Sequence, residues 1–189
     1  PAYNGGPVTG AAKLAEVQNT GTNIMYFAVW LLPNVQSSGT SVAISTTNGR
    51  SDSSSHYFIA EVAGLGTAPA ADSASPNPKT AAGAAGGTVT TGATGAAAGS
   101  SGIVLGGMME DGVTGWTGPA GWTQVTGSTS TLVGASYQIF SSPGSSYTWS
   151  STGQAAGQWA TGAVILDAGG AAPPPPAPAA FVYQMRRMP

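Results

Sequence analysis

Hydrophobic positions in this chain come in short bursts of aromatic and β-branched residues, with Gly, Pro, Ser and Thr filling the intervals. The strongest burst is residues 24–32, I-M-Y-F-A-V-W-L-L, closed by Pro33. It is short for a core helix, and its composition predicts a buried strand. Residues 40–46, T-S-V-A-I-S-T, alternate with Val42 and Ile44 on one face, which predicts a half-buried strand. Residues 56–62, H-Y-F-I-A-E-V, predict the next strand, and residues 103–109, I-V-L-G-G-M-M, another buried one. Glu110, Asp111 and Gly112 then predict a turn, because Asp-Gly favours positive φ.

The stretch 115–167 carries the densest signal. It holds four of the five tryptophans, Trp116, Trp122, Trp149 and Trp159, with Tyr137, Phe140 and Tyr147 between them. Each cluster is short and bounded by turn residues, the pattern of consecutive antiparallel strands. Expected strands lie at residues 119–123, 137–140, 147–149 and 159–166. Aromatic side chains bury roughly 150–250 Å² each, so this segment supplies most of one core.

Elsewhere the pattern fades. Residues 1–23 are rich in Gly, Thr and Asn; the patch 11–17 fits a helical turn or a strand, and the segment reads as irregular structure or an arm. Residues 67–102 form a Gly/Ala/Pro-rich low-complexity insertion, in which 88–91 predicts a short edge strand. A faint internal repeat links the halves: residues 26–33, 40–45 and 57–64 against 137–143, 146–150 and 158–169. Two such units facing each other make an all-β fold, an antiparallel two-sheet β-sandwich of jelly-roll or Greek-key type over residues 24–169. From residue 170 the composition changes to a Pro-rich arm ending at 189, whose four consecutive prolines, Pro173 to Pro176, favour extended polyproline II. Phe181, Val182, Tyr183, Met185, Arg186, Arg187 and Met188 follow as anchors for docking, on a neighbouring subunit or on the chain's own domain.

Composition narrows the function. A length of 189 residues suits one domain. Only 6% of residues are charged, far below the roughly 25% usual in soluble domains, so little charge opposes association. The reading is a subunit buried against others or a particle-surface protein. Net charge is −2 and the basic residues form no stripe, which leaves no field for nucleic acid. With no cysteine there is no disulfide, thiolate nucleophile or zinc–thiolate site. No run of 18 apolar residues exists to span a membrane as a helix. The first residues lack the basic and apolar parts of a signal peptide. A start at Pro1 fits removal of an initiator Met or larger processing.

Chemistry finds few carriers. The single histidine, His56, heads a strand and reads as structural, and no serine sits in G-x-S-x-G. Among the carboxylates Asp52, Glu61, Asp72, Glu110, Asp111 and Asp167, the adjacent Glu110 and Asp111 point apart. Glu61 and Asp167 hold matching places in the two repeat units but have no supporting feature. No calcium-loop or phosphate-loop pattern occurs, so no cofactor or metal is expected. Trp116 and Trp122, in a Gly-rich segment, are candidates for a sugar-stacking platform against the commoner fate of core burial.

The series P-A-G-W-T at 119–123, Y-Q-I-F at 137–140, Y-T-W at 147–149 and the strand opening W-A at 159 resembles a β-sandwich, jelly-roll-like domain. Such domains occur in tailed-phage virion proteins and related bacterial surface proteins, and the resemblance spans roughly 24–169. It implies a non-catalytic structural subunit of a phage particle, decorating or cementing the capsid surface or forming part of a tail appendage. Its partners would be copies of itself or another virion protein, engaged through the C-terminal arm. The implied location is the virion, with the bacterial cell surface as the alternative. The rival reading is a carbohydrate-binding or adhesive module using Trp116 and Trp122.

Overall fold

A computed structural model describes residues 2–3, 6–7, 12–19, 24–32, 42–43, 54–62, 65, 70–111, 118–125, 133–155, 157–168 and 179–188. Every regular element among them is a β-strand: β1 (Ala2–Tyr3), β2 (Gly6–Pro7), β3 (Ala12–Gln18), β4 (Ile24–Leu32), β5 (Val42–Ala43), β6 (Ser54–Val62), β7 (Ala70–Ala71), β8 (Lys79–Gly83), β9 (Thr88–Ala93), β10 (Gly102–Glu110), β11 (Thr123–Gln124), β12 (Val133–Phe140), β13 (Thr148–Gln154), β14 (Trp159–Asp167) and β15 (Ala179–Met188). All pairings are antiparallel. The central sheet runs β11-β12-β10-β14, and β7 and β8 both pair with the far edge of β14. A second sheet runs β3-β4-β15-β6, with a β13-β9 ladder and a short β2-β1-β5 sheet beside them.

The burst at 103–109 is uniformly apolar because its strand is covered on both faces. β10 is buried along its whole length and β14 as far as Leu166. On one face Ile103, Leu105, Met109, Ala160, Val164 and Leu166 meet Met25, Phe27, Val29 and Leu31 of β4 and Ala15 of β3. On the other face Met108, Ala163 and Trp159 meet Trp149 and Val89, while Val104 and Ile165 meet Phe140 and Tyr147. The result is sandwich-like, with the β10–β14 pair as the shared middle.

Two glycines of that pair act as sockets. A Cβ on Gly106 would lie 2.4 Å from Trp149 Cδ1, and one on Gly162 would lie 2.4 Å from Phe27 Cε1. One large ring therefore seats on each side of the sheet. Trp149 is fully buried, and its indole N–H donates to Ser136 Oγ at 2.8 Å. Its backbone N–H donates to Thr91 Oγ1 at 3.1 Å, where the β9–β13 register is shifted. Thr94 Oγ1 likewise accepts the Tyr147 N–H at 2.9 Å. Threonine hydroxyls thus take backbone bonds that the irregular ladder leaves open.

The sequence reading and the structure part company in three places. The segment 1–23, expected to be irregular or an arm, contains β3, which pairs with β4 from Ala12 opposite Leu31 to Gln18 opposite Tyr26. A register shift between Lys13 and Ala15 breaks its alternation, which hid the strand. The low-complexity segment contributes β7, β8 and β9; the expected edge strand at 88–91 is the start of β9. Its Ala, Gly and Thr residues fit because β8 lies along β14, where Trp159 rests against Gly83. Third, the expected strand at 119–123 is mostly a turn around Gly121, and only Thr123 and Gln124 pair, with Tyr137 and Ser136. Of the strand expected at 40–46, Val42 and Ala43 are described, as β5.

The faint repeat has a topological counterpart. β4 and β6 flank β15 as β12 and β14 flank β10, and the middle strands β5 and β13 each pair with an earlier strand, β1 and β9.

Because Gly106 is the socket for Trp149, Gly106→Ala is expected to lower unfolding stability by about 1–3 kcal/mol. The same change in a Trp149→Leu background should cost less, since the ring it strikes is gone. Denaturant titration of the four-member cycle measures this coupling; equal costs in both backgrounds would refute the socket.

Candidate functional site

Among the described carboxylates, Asp72 and Glu110 hold loops. Asp72, between β7 and β8, is buried. Its Oδ1 accepts the N–H groups of Ala74 at 2.7 Å and Ala98 at 3.0 Å, and its Oδ2 accepts that of Gly99 at 2.8 Å. Burial pushes its pKa up, but the backbone N–H groups of Ala98, Gly99 and Ala74 pull it down and prevail, so the carboxyl titrates below its ordinary range. Beside it, Asn77 copies a backbone strand: its Oδ1 accepts the Ile165 N–H at 2.9 Å and its Nδ2 donates to the Ile165 carbonyl at 2.9 Å. Asn77 fills the gap on β14 between Leu166, which pairs with β7, and Ala163, which pairs with β8. The edge of the central sheet is sealed.

Glu110, the last residue of β10, is buried and accepts the Gly157 N–H at 3.3 Å. The Asp111 N–H donates to the Gln158 carbonyl at 2.9 Å. In the same loop Gln158 Oε1 accepts from Asn19 Nδ2 at 2.7 Å, and Asn19 Oδ1 accepts the Met25 N–H at 2.8 Å. This clamp joins the β3–β4 connection to the loop before β14. Among the described residues no group of three or more His, Asp or Glu is placed to hold a metal ion. Asp52 and the side chains of His56 and Glu61 lie outside the described part. Asp167 closes β14, with its carboxylate beside Gly99.

Of the two tryptophans considered for sugar stacking, Trp116 lies outside the described residues. Trp122 is half-buried and packs where the Phe140–Tyr147 and Trp149–Trp159 clusters meet. Its backbone N–H donates to the Pro119 carbonyl at 3.2 Å, closing the turn through Gly121. Its ring contributes to the core margin. An apolar cavity of about 210 Å³ is lined by Val62, Leu65, Ile103, Ile139, Phe140 and Ala168 with the backbone around Ser101 and Gly102. That is below the roughly 300–1,000 Å³ of typical ligand sites.

The C-terminal anchors occupy a different kind of site. Phe181, Val182, Tyr183, Met185, Arg186, Arg187 and Met188 all lie in β15, between β4 and β6 of the same chain. One flank runs from Ala180 opposite Leu32 to Met188 opposite Ile24, the other from Ala179 opposite Val62 to Arg187 opposite Ser54. Phe181, Tyr183, Met185 and Arg187 stand opposite Leu31, Val29, Phe27 and Met25. The Pro-rich segment 171–178 lies outside the described residues. The β4–β6 slot that holds this segment had no local signal in the sequence, because its two walls are separated by residues 33–53.

Asp72 yields a pH prediction. Its pKa is depressed on folding, so its contribution is present above the unfolded carboxylate value and is lost as pH falls through the lower folded value. Asp72→Asn should cost about 1.5–3 kcal/mol at pH 7, and less at pH 3. Denaturation midpoints at the two pH values test this; a pH-independent cost would contradict it.

No family model, no curated protein and no solved structure matches this chain.

Proposed function

We propose that the chain is a non-catalytic structural subunit of a phage particle, decorating the capsid surface or building a tail appendage. Its body is read as a jelly-roll or Greek-key β-sandwich whose C-terminal segment is the assembly element. The observation that carries this reading is the last strand. β15 follows a Pro-rich stretch, yet it pairs along both sides in the middle of a sheet. Strand addition between subunits uses main-chain pairing of this kind.

Other features agree. The described carboxylates Asp72 and Glu110 accept backbone N–H groups within the fold. With five basic and seven acidic residues in 189, little charge keeps copies apart. The resemblance of the 119–166 motifs to virion domains supplies the particle; the bacterial cell surface is the alternative location. Partners are further copies or another virion protein.

The native species is expected to be a large regular assembly, or to bind a shell or filament, when its mass is measured by light scattering or direct imaging. A monomer at all concentrations would overturn the reading. Truncation is a poor test, since removing β15 would strip both β4 and β6 of their shared neighbour.

A further inference from the structure

We infer that β15 is an exchangeable strand: the slot between β4 and β6 of one copy accepts β15 of a second copy. This deepens the assembly reading above and rests on it.

The slot is a two-sided receptor. Without β15, the facing edges of β4 and β6 would present unpaired N–H and C=O groups over the positions β15 now covers, Ile24 to Leu32 on one side and Ser54 to Val62 on the other. Exposed edges of that length pair with whatever strand is available. A main-chain ladder reads strand direction and register, and a β15 from another copy satisfies both as well as the chain's own.

Chain connectivity favours exchange at this slot over its counterpart. In the central sheet the equivalent place between β12 and β14 is taken by β10, which comes before both of them in the chain with only the two-residue β11 between it and β12. In the second sheet β3, β4 and β6 come from residues 12–62, while β15 follows the whole central sheet. Withdrawing β15 breaks no ladder among β7 to β14. The connection, residues 168–178, has a reach of up to about 34 Å at polyproline rise. Exchange keeps every ladder bond, so the home and swapped forms differ mainly in tether strain and concentration.

The chain has no cysteine, which makes disulfide trapping clean. Gln184 is opposite Ala28 on one flank, and Ala179 is opposite Val62 on the other. Directly paired strand residues have Cα atoms about 4.5–5.5 Å apart, within the range a disulfide bridges. Two differently tagged chains, Ala28→Cys and Gln184→Cys, are co-expressed and oxidised, and a second pair carries Val62→Cys and Ala179→Cys. Exchange predicts a covalent dimer containing one chain of each tag, for both pairs. The proposal is overturned if the mixed chains stay monomeric on a non-reducing gel while the doubly substituted Ala28→Cys/Gln184→Cys chain closes at monomer mass. Should Ala28→Cys fail to fold, the Val62 and Ala179 pair decides alone, with its own doubly substituted control. Light scattering on the unmodified chain separates the two readings. A large assembly with only intrachain bonds sinks exchange and leaves the subunit reading standing; a monomer removes both.

Discussion

The structure depends on a pair of strands with no exposed face. β10 and β14 are packed by β4 and β3 on one side and by the β9–β13 ladder and its loops on the other. A strand pair buried twice can hold no large side chain at a position where a neighbour already sends one in. Small residues must therefore alternate with large ones across it. Gly106 beneath Trp149 and Gly162 beneath Phe27 follow from that requirement. In a chain short of Leu and Ile, seating whole aromatic rings against backbone is an economical way to reach native packing density.

The same double burial explains why so many polar side chains serve the backbone. A strand covered on both faces still has two edges, and its neighbours here are short or irregular. Asn77 stands in for a missing strand at Ile165, Thr91 and Thr94 for missing ladder bonds at Trp149 and Tyr147, and Asp72 gathers three N–H groups from two loops. Asn19 does the same between the sheets. Uncharged groups suffice for most of this work, so the fold manages with 6% charged residues. The low charge that leaves copies free to associate is thus compatible with a well-satisfied interior. The buried acidic groups, Asp72 and Glu110, are bound to backbone N–H groups of that interior, and functional interest shifts to the sheet edges and the strand that fills the β4–β6 slot.

The sequence by itself determined the strand cores where burial imposes a strong pattern. Residues 24–32, 56–62, 103–109, 137–140 and 159–166 all lie within observed strands, because aromatic and β-branched runs bounded by Gly and Pro have few other fates. It also set residues 181–188, which lie in β15, apart from the preceding prolines. Tertiary structure alone decided what the weakly patterned segments do. Ala12–Gln18 and Lys79–Gly83 carry mostly small or polar residues, and they are strands because β4 and β14 offer open edges to them. It alone placed β15 between β4 and β6. A ladder partner is chosen by main-chain groups that every residue shares, and so the pairing leaves almost no trace in the side chains that the sequence records.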